Sequence, residues 1–184
     1  MKRMMDVLLS LMATVALLPL MLITALAIAL EDGFPVLYRQ TRLGLGGREF
    51  GMFKFRSMVK NADKVGPYFT ETGDPRITRV GRLIRITSVD ELPQLWNVVV
   101  GDMSLVGPRP DVPVQRSLYT DEDWAQRCSV RPGITGLAQA LIRSSGSDGE
   151  RLSLDLRYTR ESSVWLDLKI MCWTLGRLSG KGSN

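Results

Sequence analysis

The sequence begins with an apolar stretch that restricts what the whole chain can fold into. Residues Val7 to Leu30 include no charged side chain. A helix of about 24 residues is about 36 Å long, which is enough to cross a hydrocarbon core of about 30 Å. The stretch is too long for the apolar part of a signal peptide, and no small-x-small cleavage site follows it. The sequence therefore predicts a membrane-embedded helix, followed by about 150 residues that form a folded domain.

Pro19 lies near the middle of this stretch and leaves the path of the helix open. A proline inside a helix removes one backbone hydrogen bond and kinks the axis, so a kinked helix that crosses the membrane once is the simplest interpretation. The charges that flank the stretch favour a second interpretation of the path of the helix. Lys2 and Arg3 precede the stretch and further arginines and lysines follow it, so the positive-inside tendency places both flanks in the cytoplasm. A re-entrant helix that bends at Pro19 and leaves by the same face satisfies this tendency.

The charge and residue composition limit the classes of function. The 184 residues carry a net charge of +5, which suits nucleic acid, an anionic membrane surface or phosphorylated substrates as partners. The chain has no histidine, which excludes a Ser-His-Asp triad, histidine zinc ligands and histidine acid–base catalysis. Its two cysteines, Cys128 and Cys172, form no CxxC pair and are expected to be buried thiols in a reducing compartment.

A β-hairpin and a loop are predicted after the apolar stretch. Val36–Arg42 and Phe50–Arg56 have strand character, and glycines at positions 44, 46 and 47 mark the turn between them. Phenylalanines alternate with basic residues in the second strand, which predicts one apolar and one basic face. The polar segment Asn61–Pro75 contains two Gly/Pro turn signals and is expected to be a loop.

The middle of the chain concentrates opposite charges. Three arginines at helical spacing, Arg79, Arg82 and Arg85, precede the adjacent carboxylates Asp90 and Glu91. Phosphate chemistry uses this combination, because cations hold oxyanions and a carboxylate attacks phosphorus or holds a metal. A helix start explains the same carboxylates without chemistry, since residues 88–91 fit a capping box and Asp90 fits an N-cap. The two interpretations are compatible, because a helix N-terminus also favours a bound phosphate.

Two proline-containing turns present further arginines. Arg109 lies between Pro108 and Pro110, which restrict the backbone and reduce the entropy lost when the guanidinium binds a ligand. Arg131 precedes a Pro-Gly turn. Arginine is suited to forked contact with phosphate, which makes both side chains candidate ligands for an anion. The alternative is a surface loop in which the arginine binds nothing.

The C-terminal part is predicted to be mostly helical. Val164–Leu178 is apolar, contains two tryptophans, and is too short and too charged to span a membrane comfortably. It is expected either to lie in the membrane interface or to pack into the core. Helices are also predicted over Asp121–Gln126 and Arg151–Tyr158, with a Gly/Ser loop over Ser144–Glu150. Trp96, in the helix after the paired carboxylates, is expected in the core.

Several longer motifs occur in a fixed order along the chain. They are Pro35 to Gly44, Lys54–Met58, Gly81–Asn97, Gly101–Pro110, Arg131–Gly136 with Gln139, and Leu166–Ile170. On these motifs the chain resembles the bacterial sugar transferases, the monotopic phosphoglycosyl transferases that move a phosphosugar from a UDP-sugar onto polyprenyl (undecaprenyl) phosphate. The resemblance covers nearly the whole chain, from the apolar stretch to about Leu178.

The resemblance implies an α+β, mostly helical fold. Residues 1–32 are expected to form a re-entrant membrane helix that breaks at Pro19, residues 33–180 a small catalytic domain with interfacial amphipathic helices, and residues 181–184 a tail. The catalytic domain is expected on the cytoplasmic face of the bacterial inner membrane, in contact with its lipids. Larger relatives carry additional N-terminal segments, and this chain is expected to be the catalytic core alone. Nucleic acid is not expected as a partner, and the oligomeric state stays open.

The resemblance also implies a Mg²⁺-dependent ping-pong reaction with an aspartate nucleophile. By position, Asp90 is the nucleophile and Glu91 its partner, and both are expected to hold the Mg²⁺. The substrate is expected to contact Arg56, Arg85, Pro108, Arg109, Pro110 and Arg131. The expected products are a polyprenyl-diphospho-sugar and UMP, formed in the first membrane step of glycoconjugate assembly.

Two stretches depart from the family pattern. Leu18 stands where the family often has a serine before the proline of the helix break, so Ser10, Thr14 or Thr24 is a candidate to satisfy the freed backbone. Ala140–Arg143 replaces an Asn-Gly-Arg type sequence, which puts contacts from that loop to the sugar in doubt. Two other functions stay open: a membrane-tethered protein whose basic face binds nucleic acid or anionic lipid, and a membrane phosphohydrolase.

Overall fold

The structure, a computed structural model, describes residues 1–62, 66, 73–142 and 146–178 of the chain. Its helices are α1 (Lys2–Asp32), α2 (Arg79–Ile86), α3 (Gln94–Val100), α4 (Asp121–Arg127), α5 (Leu137–Leu141), α6 (Asp148–Glu161) and α7 (Val164–Leu178). Its strands are β1 (Leu37–Leu43), β2 (Glu49–Phe55), β3 (Ser104–Val106) and β4 (Gly133–Thr135). The mostly helical fold with a few strands and a long apolar N-terminal helix is therefore confirmed, while the re-entrant path of that helix stays a prediction.

The N-terminal hairpin agrees with its prediction to within one residue at each end. β1 and β2 pair antiparallel, with Leu37 opposite Phe55. Between them Leu45–Gly47 forms a short 3₁₀ turn, in which Gly46 and Gly47 have positive φ values of 64° and 73°. A side chain with a Cβ atom is strained at such values, which explains the glycines that mark this turn.

The long apolar helix α1 is helical on both sides of Pro19 and across it. The proline has no N–H group to bond the carbonyl of Val15, four residues earlier. Thr14 and Thr24 do not replace that bond, because each hydroxyl donates to the carbonyl four residues before itself, at 2.7 and 2.8 Å. The hydroxyl of Ser10 is buried and has no hydrogen-bond partner in the described part of the chain. The expected compensation is therefore wrong for both threonines, and no contact of Ser10 supports it.

The N-terminal end of α1 is bound to the domain by charged side chains. Lys2 donates to the buried carboxylate of Asp167 in α7 at 2.6 Å. Arg3 donates to two carbonyls at the C-terminal end of α3, at 2.6 and 3.0 Å. The buried Asp6 accepts a hydrogen bond from the hydroxyl of Ser104 in β3 at 2.8 Å. Buried ionic groups require such partners, so this end of α1 is held against three elements of the domain.

The C-terminal end of α1 contacts the same domain. Glu31 accepts hydrogen bonds from two N–H groups at the start of α2, at 2.8 and 2.9 Å, where a carboxylate also interacts favourably with the helix dipole. Arg56 donates to the carbonyls of Asp32 and Gly33 at 2.9 and 2.6 Å. Between the two ends, apolar side chains are exposed at Leu11, Met12, Val15, Leu18, Leu20, Leu22 and Ile23. Among the described helices, α1 alone is long and apolar enough to cross a membrane.

The two adjacent carboxylates lie in a 3₁₀ turn over Val89–Glu91, not in the first turn of an α-helix. Ser88 precedes this turn in the left-handed conformation, and its side chain makes no capping hydrogen bond. α3 begins only at Gln94, with Pro93 as its N-cap. The predicted capping box and the predicted helix start at Asp90 are therefore wrong, and helix capping does not occupy the carboxylate oxygens.

The C-terminal core is built around a short parallel sheet. β3 pairs with β4, and Val106, Tyr158 and Ile170 are almost fully buried beside it. Ile170 belongs to the buried face of α7, whereas Trp165 and Leu175 of the same helix are 68% and 66% exposed. One face of α7 thus packs into the core, as one of the two alternatives predicted, and a location of the other face in the membrane interface stays a prediction.

Several local expectations are settled by the described residues. Trp96 is 58% exposed instead of buried, because the buried face of α3 is formed by residues 94, 95, 97 and 98. Cys128 is buried as expected, but Cys172 is exposed on α7. The helices predicted over 121–126 and 151–158 are present, and α6 begins at Asp148 with Ser147 as its cap, so the predicted Gly/Ser loop ends earlier. The loop predicted over 61–75 lies largely outside the described residues, and the tail over 181–184 lies entirely outside them.

Candidate active site

The pair Asp90 and Glu91, called the dyad below, lies in the wall of an open cavity of about 1060 Å³. Ligand sites for small molecules usually have a volume of this order or less. The wall is formed by the hairpin, the end of α2, the 3₁₀ turn over Val89–Glu91 and helices α4 to α7. The turn over Pro108–Pro110, called the Pro-Arg-Pro turn below, also contributes to it. Its charged lining residues are Arg42, Lys54, Arg85, Asp90, Glu91, Arg109, Asp111, Arg127, Asp148, Arg151 and Asp155. A ligand in this cavity therefore meets cations on several sides of the dyad.

Glu91 is paired with two cations. Lys54 and Arg109 donate to the same carboxylate oxygen, Oε1, at 2.9 and 2.7 Å. Burial raises the pKa of Glu91, but the positive charges of Arg109 and Lys54 and their hydrogen bonds outweigh burial and lower the pKa to about 2. Glu91 is therefore ionised across the physiological pH range and holds both cations in the cavity before any ligand arrives.

Asp90 has a different environment, although it is the adjacent residue. Its side chain is 8% exposed and lines the cavity, yet no described residue donates a hydrogen bond to its carboxylate. Burial raises the pKa of Asp90, Lys54 opposes that effect, and the negative charge of Glu91 adds to it. A carboxylate with no hydrogen-bond partner retains its lone pairs for bonding to a ligand. The geometry thus separates the dyad into one carboxylate bound by cations and one available for chemistry.

The backbone around Arg109 is fixed at four consecutive residues. The carbonyls of residues 108, 109, 110 and 111 accept hydrogen bonds, in that order, from Gly133 N at 2.9 Å, Arg127 Nη2 at 2.6 Å, Arg42 Nη1 at 2.9 Å and Leu43 N at 2.8 Å. The side chain of Arg109 is 48% exposed and reaches Glu91. A half-exposed guanidinium on such a fixed backbone is oriented without further loss of backbone entropy.

The structure brings together some of the residues predicted to bind substrate and separates others. Arg85, Arg109 and Pro110 line the cavity with the dyad. Pro108 lies beside them, and its carbonyl fixes the turn. Arg56 does not line the cavity, since its guanidinium binds carbonyls at the end of α1 and the carboxylate of Asp32 at 3.0 Å. The described contacts of Arg56 therefore place it at the C-terminal end of α1 and outside the cavity, and its contact with the substrate stays a prediction.

Arg131 is also separated from the cavity. It is exposed, and its Nε donates to the carbonyl of Gly101 at 2.9 Å, just beyond the C-terminal end of α3. Gly101 has a φ of 105°, which favours glycine at that helix end. This contact places Arg131 beside the C-terminal end of α3 and away from the dyad.

Sequence reasoning missed several residues of the cavity. Lys54 was placed on a basic strand face but not in the site, although this alternation was the signal that could have found it. Arg42, Arg127, Asp111 and Asp155 also line the cavity, and nothing in their local sequence identifies them. Arg42 reaches the site from β1, where it donates to the carbonyl of Pro110. The other three come together because α4 and α6 pack beside the Pro-Arg-Pro turn, which is a tertiary contact.

The dyad residues are the candidate ligands for a divalent cation. Among the described residues, no group of three or more His, Cys, Asp or Glu side chains is arranged to bind a metal. Mg²⁺ requires fewer protein ligands than that, because one or two carboxylates usually hold it together with substrate phosphates and water. Asp90 has no hydrogen-bond donor among the described residues, and both cations of Glu91 contact a single oxygen. The dyad therefore fits an Mg²⁺ ion, for which Asp90 and Glu91 would supply the protein oxygens.

Comparison with known proteins gives relatives along almost the entire chain. One is a UDP-glucose:undecaprenyl-phosphate glucose-1-phosphate transferase of Caulobacter vibrioides, 44% identical over 96% of this chain and 69% of the relative. Another is a UDP-N-acetylgalactosamine-undecaprenyl-phosphate N-acetylgalactosaminephosphotransferase of Aeromonas hydrophila, 43% identical over 95% of this chain and 42% of the relative. A third, a UDP-glucose:undecaprenyl-phosphate glucose-1-phosphate transferase of Escherichia coli, is 42% identical over 95% of this chain and 39% of the relative.

The chain thus spans about two thirds of the first relative and less than half of the other two. The family model described as "Bacterial sugar transferase" matches residues 1–181. That match includes α1, the dyad, the Pro-Arg-Pro turn and α7. The chain therefore belongs to the bacterial sugar transferase family.

Proposed function

We propose that this chain transfers a phosphosugar from a UDP-sugar to polyprenyl phosphate, giving a polyprenyl-diphospho-sugar and UMP. The names of the three relatives support these substrate classes, since each contains a sugar phosphotransfer to undecaprenyl phosphate. The observation that carries the proposal is the dyad in its basic cavity, with Glu91 bound to two cations and Asp90 without a hydrogen-bond donor among the described residues. The relatives differ in their sugar, so the chemistry common to them is that of the two phosphates.

Asp90 is the nucleophile of a two-step, ping-pong reaction. One of its carboxylate oxygens bonds to the β-phosphorus of the UDP-sugar, the bond from that phosphorus to the bridging oxygen breaks, and UMP leaves with the bonding electrons. A phosphosugar-aspartate results. A phosphate oxygen of polyprenyl phosphate then attacks the same phosphorus, and Asp90 is released as a carboxylate. Each displacement needs only one substrate beside the dyad, which suits a cavity that receives one soluble and one lipid molecule.

Lys54, Arg85 and Arg109 supply positive charge for the pyrophosphate. An anionic nucleophile and an anionic substrate repel each other, and preorganised cations offset that repulsion. The planar guanidinium of Arg109 binds two phosphate oxygens at once. Because Glu91 holds Lys54 and Arg109 in place beforehand, the cations do not need to be gathered when the substrate arrives.

The dyad also provides the protein ligands for Mg²⁺. Asp90 and Glu91 would hold this ion, which would supply positive charge that offsets the charge of the pyrophosphate and of departing UMP. Formation of the phosphosugar-aspartate should therefore stop when a chelator is added and resume when Mg²⁺ is restored in excess. Unchanged adduct formation in the presence of chelator would remove Mg²⁺ from the proposal.

The membrane helix enters and leaves through the cytoplasmic face of the bacterial inner membrane. The contacts at both ends of α1 support this path, because Lys2 reaches Asp167 and Asp32 reaches Arg56 of the same domain. A straight crossing would separate the ends by a hydrocarbon core of about 30 Å. The basic flanks then face the negatively charged cytoplasmic leaflet. The cavity lies at the level of the lipid headgroups, so the lipid phosphate reaches Asp90 while its chain stays in the bilayer.

Cysteine labelling tests this topology. Met4, which is 65% exposed, is replaced by cysteine in a chain whose Cys128 and Cys172 are replaced by serine. An impermeant thiol reagent should label this variant only after lysis. Adding Pro19→Leu should straighten the helix and allow labelling of some molecules in intact cells. Labelling of the variant that retains Pro19 from outside intact cells would contradict the re-entrant path.

Release of UMP tests the reaction itself. The full chain in lipid nanodiscs is mixed with UDP-glucose or UDP-N-acetylgalactosamine, with and without undecaprenyl phosphate. We expect catalytic UMP release only with the lipid, and a phosphosugar adduct in the intact-protein mass spectrum without it. A membrane-tethered binding protein would release no UMP, and a phosphohydrolase would release free phosphosugar without the lipid.

A further inference from the structure

Arg127, at the C-terminal end of α4, is a buried guanidinium whose three nitrogens all contact protein acceptors. Its side chain is 7% exposed. Nη1 contacts the carboxylate of Asp111, Nε lies 3.0 Å from Asp155 Oδ2, and Nη2 donates to the carbonyl of Arg109 at 2.6 Å. The ring of Tyr119 lies 5.3 Å from the guanidinium carbon. This cation thus connects α4 and α6 with the turn that carries Arg109.

The contacts of Arg127 distinguish it from the cations that are available to a ligand. Lys54 and Arg109 share one carboxylate oxygen of Glu91 and border the open cavity. Arg127 instead lies between two carboxylates that are themselves buried, and ion pairs of this kind are costly to separate. A substrate phosphate would have to replace several buried contacts to reach it. The guanidinium of Arg127 is therefore engaged by the protein and stabilises the structure around it, although its side chain forms part of the cavity wall.

We propose that Arg127 is a positioning residue, which fixes the backbone of Arg109 so that the Arg109 guanidinium faces the pyrophosphate of the substrate. The inference rests on the proposed function for the identity of that ligand, a nucleoside diphosphate. Arg127 acts through the Arg109 carbonyl, and Asp111 and Asp155 hold Arg127 in the orientation that this contact requires. Lysine has one nitrogen on a flexible stem and cannot contact the three acceptors together, so Arg127→Lys should move Arg109 while retaining the buried positive charge.

A double-mutant cycle on UDP binding tests the inference. The dissociation constant of UDP is measured for the full chain in nanodiscs, for Arg127→Lys, for Arg109→Ala and for the double variant. We expect Arg127→Lys to weaken UDP binding about tenfold, because a small displacement of a binding group has effects of this size. In the Arg109→Ala background the same change should have almost no further effect, since the group that Arg127 orients is absent. Arg157→Lys, on the exposed face of α6, is the matched control and should bind UDP as the unmodified chain does.

The possible outcomes separate the two proposals. Failure of the unmodified chain to bind UDP would contradict the proposed function. Normal UDP binding by Arg127→Lys, or equal losses with and without Arg109, would overturn the positioning role, and equal losses would indicate direct contact or a general structural effect. If Arg127→Lys does not fold, Asp155→Asn replaces it in the cycle, because it weakens the support of Arg127 without removing the guanidinium. If UDP binding to Arg109→Ala is too weak to measure, Arg109→Lys takes its place.

Discussion

The cations at the ends of α1 and those beside the dyad are of the same residue types. Their hydrogen-bond partners decide whether they are available to bind a ligand. Arg3 and Arg56 donate to backbone carbonyls at helix ends. Lys54 and Arg109 donate to one carboxylate oxygen of Glu91 in an open cavity. A buried carbonyl that loses its donor is left unsatisfied, so the first pair is committed to structure. A carboxylate in a cavity can be exchanged for a phosphate, so the second pair remains available to a ligand.

The dyad shows the same contrast on the side of the anions. Glu91 has its pKa lowered to about 2, against the effect of burial, by two cations, whereas burial raises the pKa of Asp90. Both cations of Glu91 contact its Oε1, so this carboxylate is committed to holding them. Asp90 receives no hydrogen bond from the described residues, so its oxygens remain available to a ligand. The hydrogen-bond partners of each charged side chain therefore separate groups that hold the structure from groups that remain available to a ligand. Each variant below changes one member of one of these two sets.

Asp90→Asn should have the largest effect. The amide oxygen is a far weaker nucleophile than a carboxylate, so UMP release should fall by about a thousandfold or more, and the covalent adduct should disappear. Asp121→Asn, which changes an exposed carboxylate on α4, is the control and should retain the adduct. Intact-protein mass spectrometry measures both, and it also detects deamidation back to aspartate. Full turnover without deamidation would refute the assignment of Asp90.

Arg109→Lys should have the next largest effect. Lysine preserves the charge but loses the planar fork that binds two phosphate oxygens, so kcat/KM for the UDP-sugar should fall by about tenfold to a hundredfold. Association with the membrane should not change, because Arg109 lies in the cavity wall and not in α1. Steady-state UMP release and flotation with vesicles measure the two properties. Kinetics equal to those of the unmodified chain would show that Arg109 does not contact the substrate.

Lys54→Met should shift the pH dependence of adduct formation. In the proposed reaction Asp90 attacks as a carboxylate, so the rate should fall at low pH as Asp90 becomes protonated. Burial raises the pKa of Asp90 and Lys54 opposes that rise, so removing Lys54 should raise the pKa further and move the acidic limb to higher pH. Lys54→Arg keeps the charge and should leave the limb nearly unchanged. A limb that stays in place for Lys54→Met would mean that Asp90 does not control it.

These contrasts also explain which parts of the molecule the sequence could predict. The apolar helix, the hairpin and the arginine helix α2 follow from local patterns, since periodicity and turn residues act over a few positions. Local patterns do not reveal that Arg56 lies at the end of α1 and outside the cavity, because tertiary packing decides whether a cation faces a cavity or a helix end. Trp96 is exposed for a similar reason: α3 buries the faces that contact α1 and β2, and no spacing in its sequence marks those faces.

The start of α3 shows a second limit of local reasoning. The residues over 88–91 match a capping box, but Ser88 adopts the left-handed conformation and Pro93 caps the helix instead. A motif of this kind has several compatible backbone conformations, and tertiary contacts select among them. Here Glu91 contacts Lys54 and Arg109, which lie far from it in sequence, in place of the N–H of Ser88.

Arg56→Lys should have the smallest effect on chemistry and a measurable one on stability. Arg56 donates to the carbonyls of Asp32 and Gly33 at the end of α1, and a lysine cannot satisfy both with the same geometry. Asp32 and Gly33 are partly buried, so water replaces part of a lost hydrogen bond, and the free energy of unfolding should fall by about 1 kcal/mol. KM for the UDP-sugar should not change, because Arg56 does not line the cavity.

Arg131→Lys is the matched variant for this last comparison. Arg131 is exposed and donates to a single carbonyl, that of Gly101, so its replacement should change stability by no more than about 0.5 kcal/mol. Denaturant unfolding of both variants in the same detergent gives the two free energies, and UMP release gives the two KM values. A raised KM for Arg56→Lys with unchanged stability would indicate that Arg56 contacts the substrate. It would contradict the distinction between cations that hold α1 and cations that bind a ligand. A loss of stability without a change in KM would place Arg56 with Arg3, as a side chain that holds α1 to the domain.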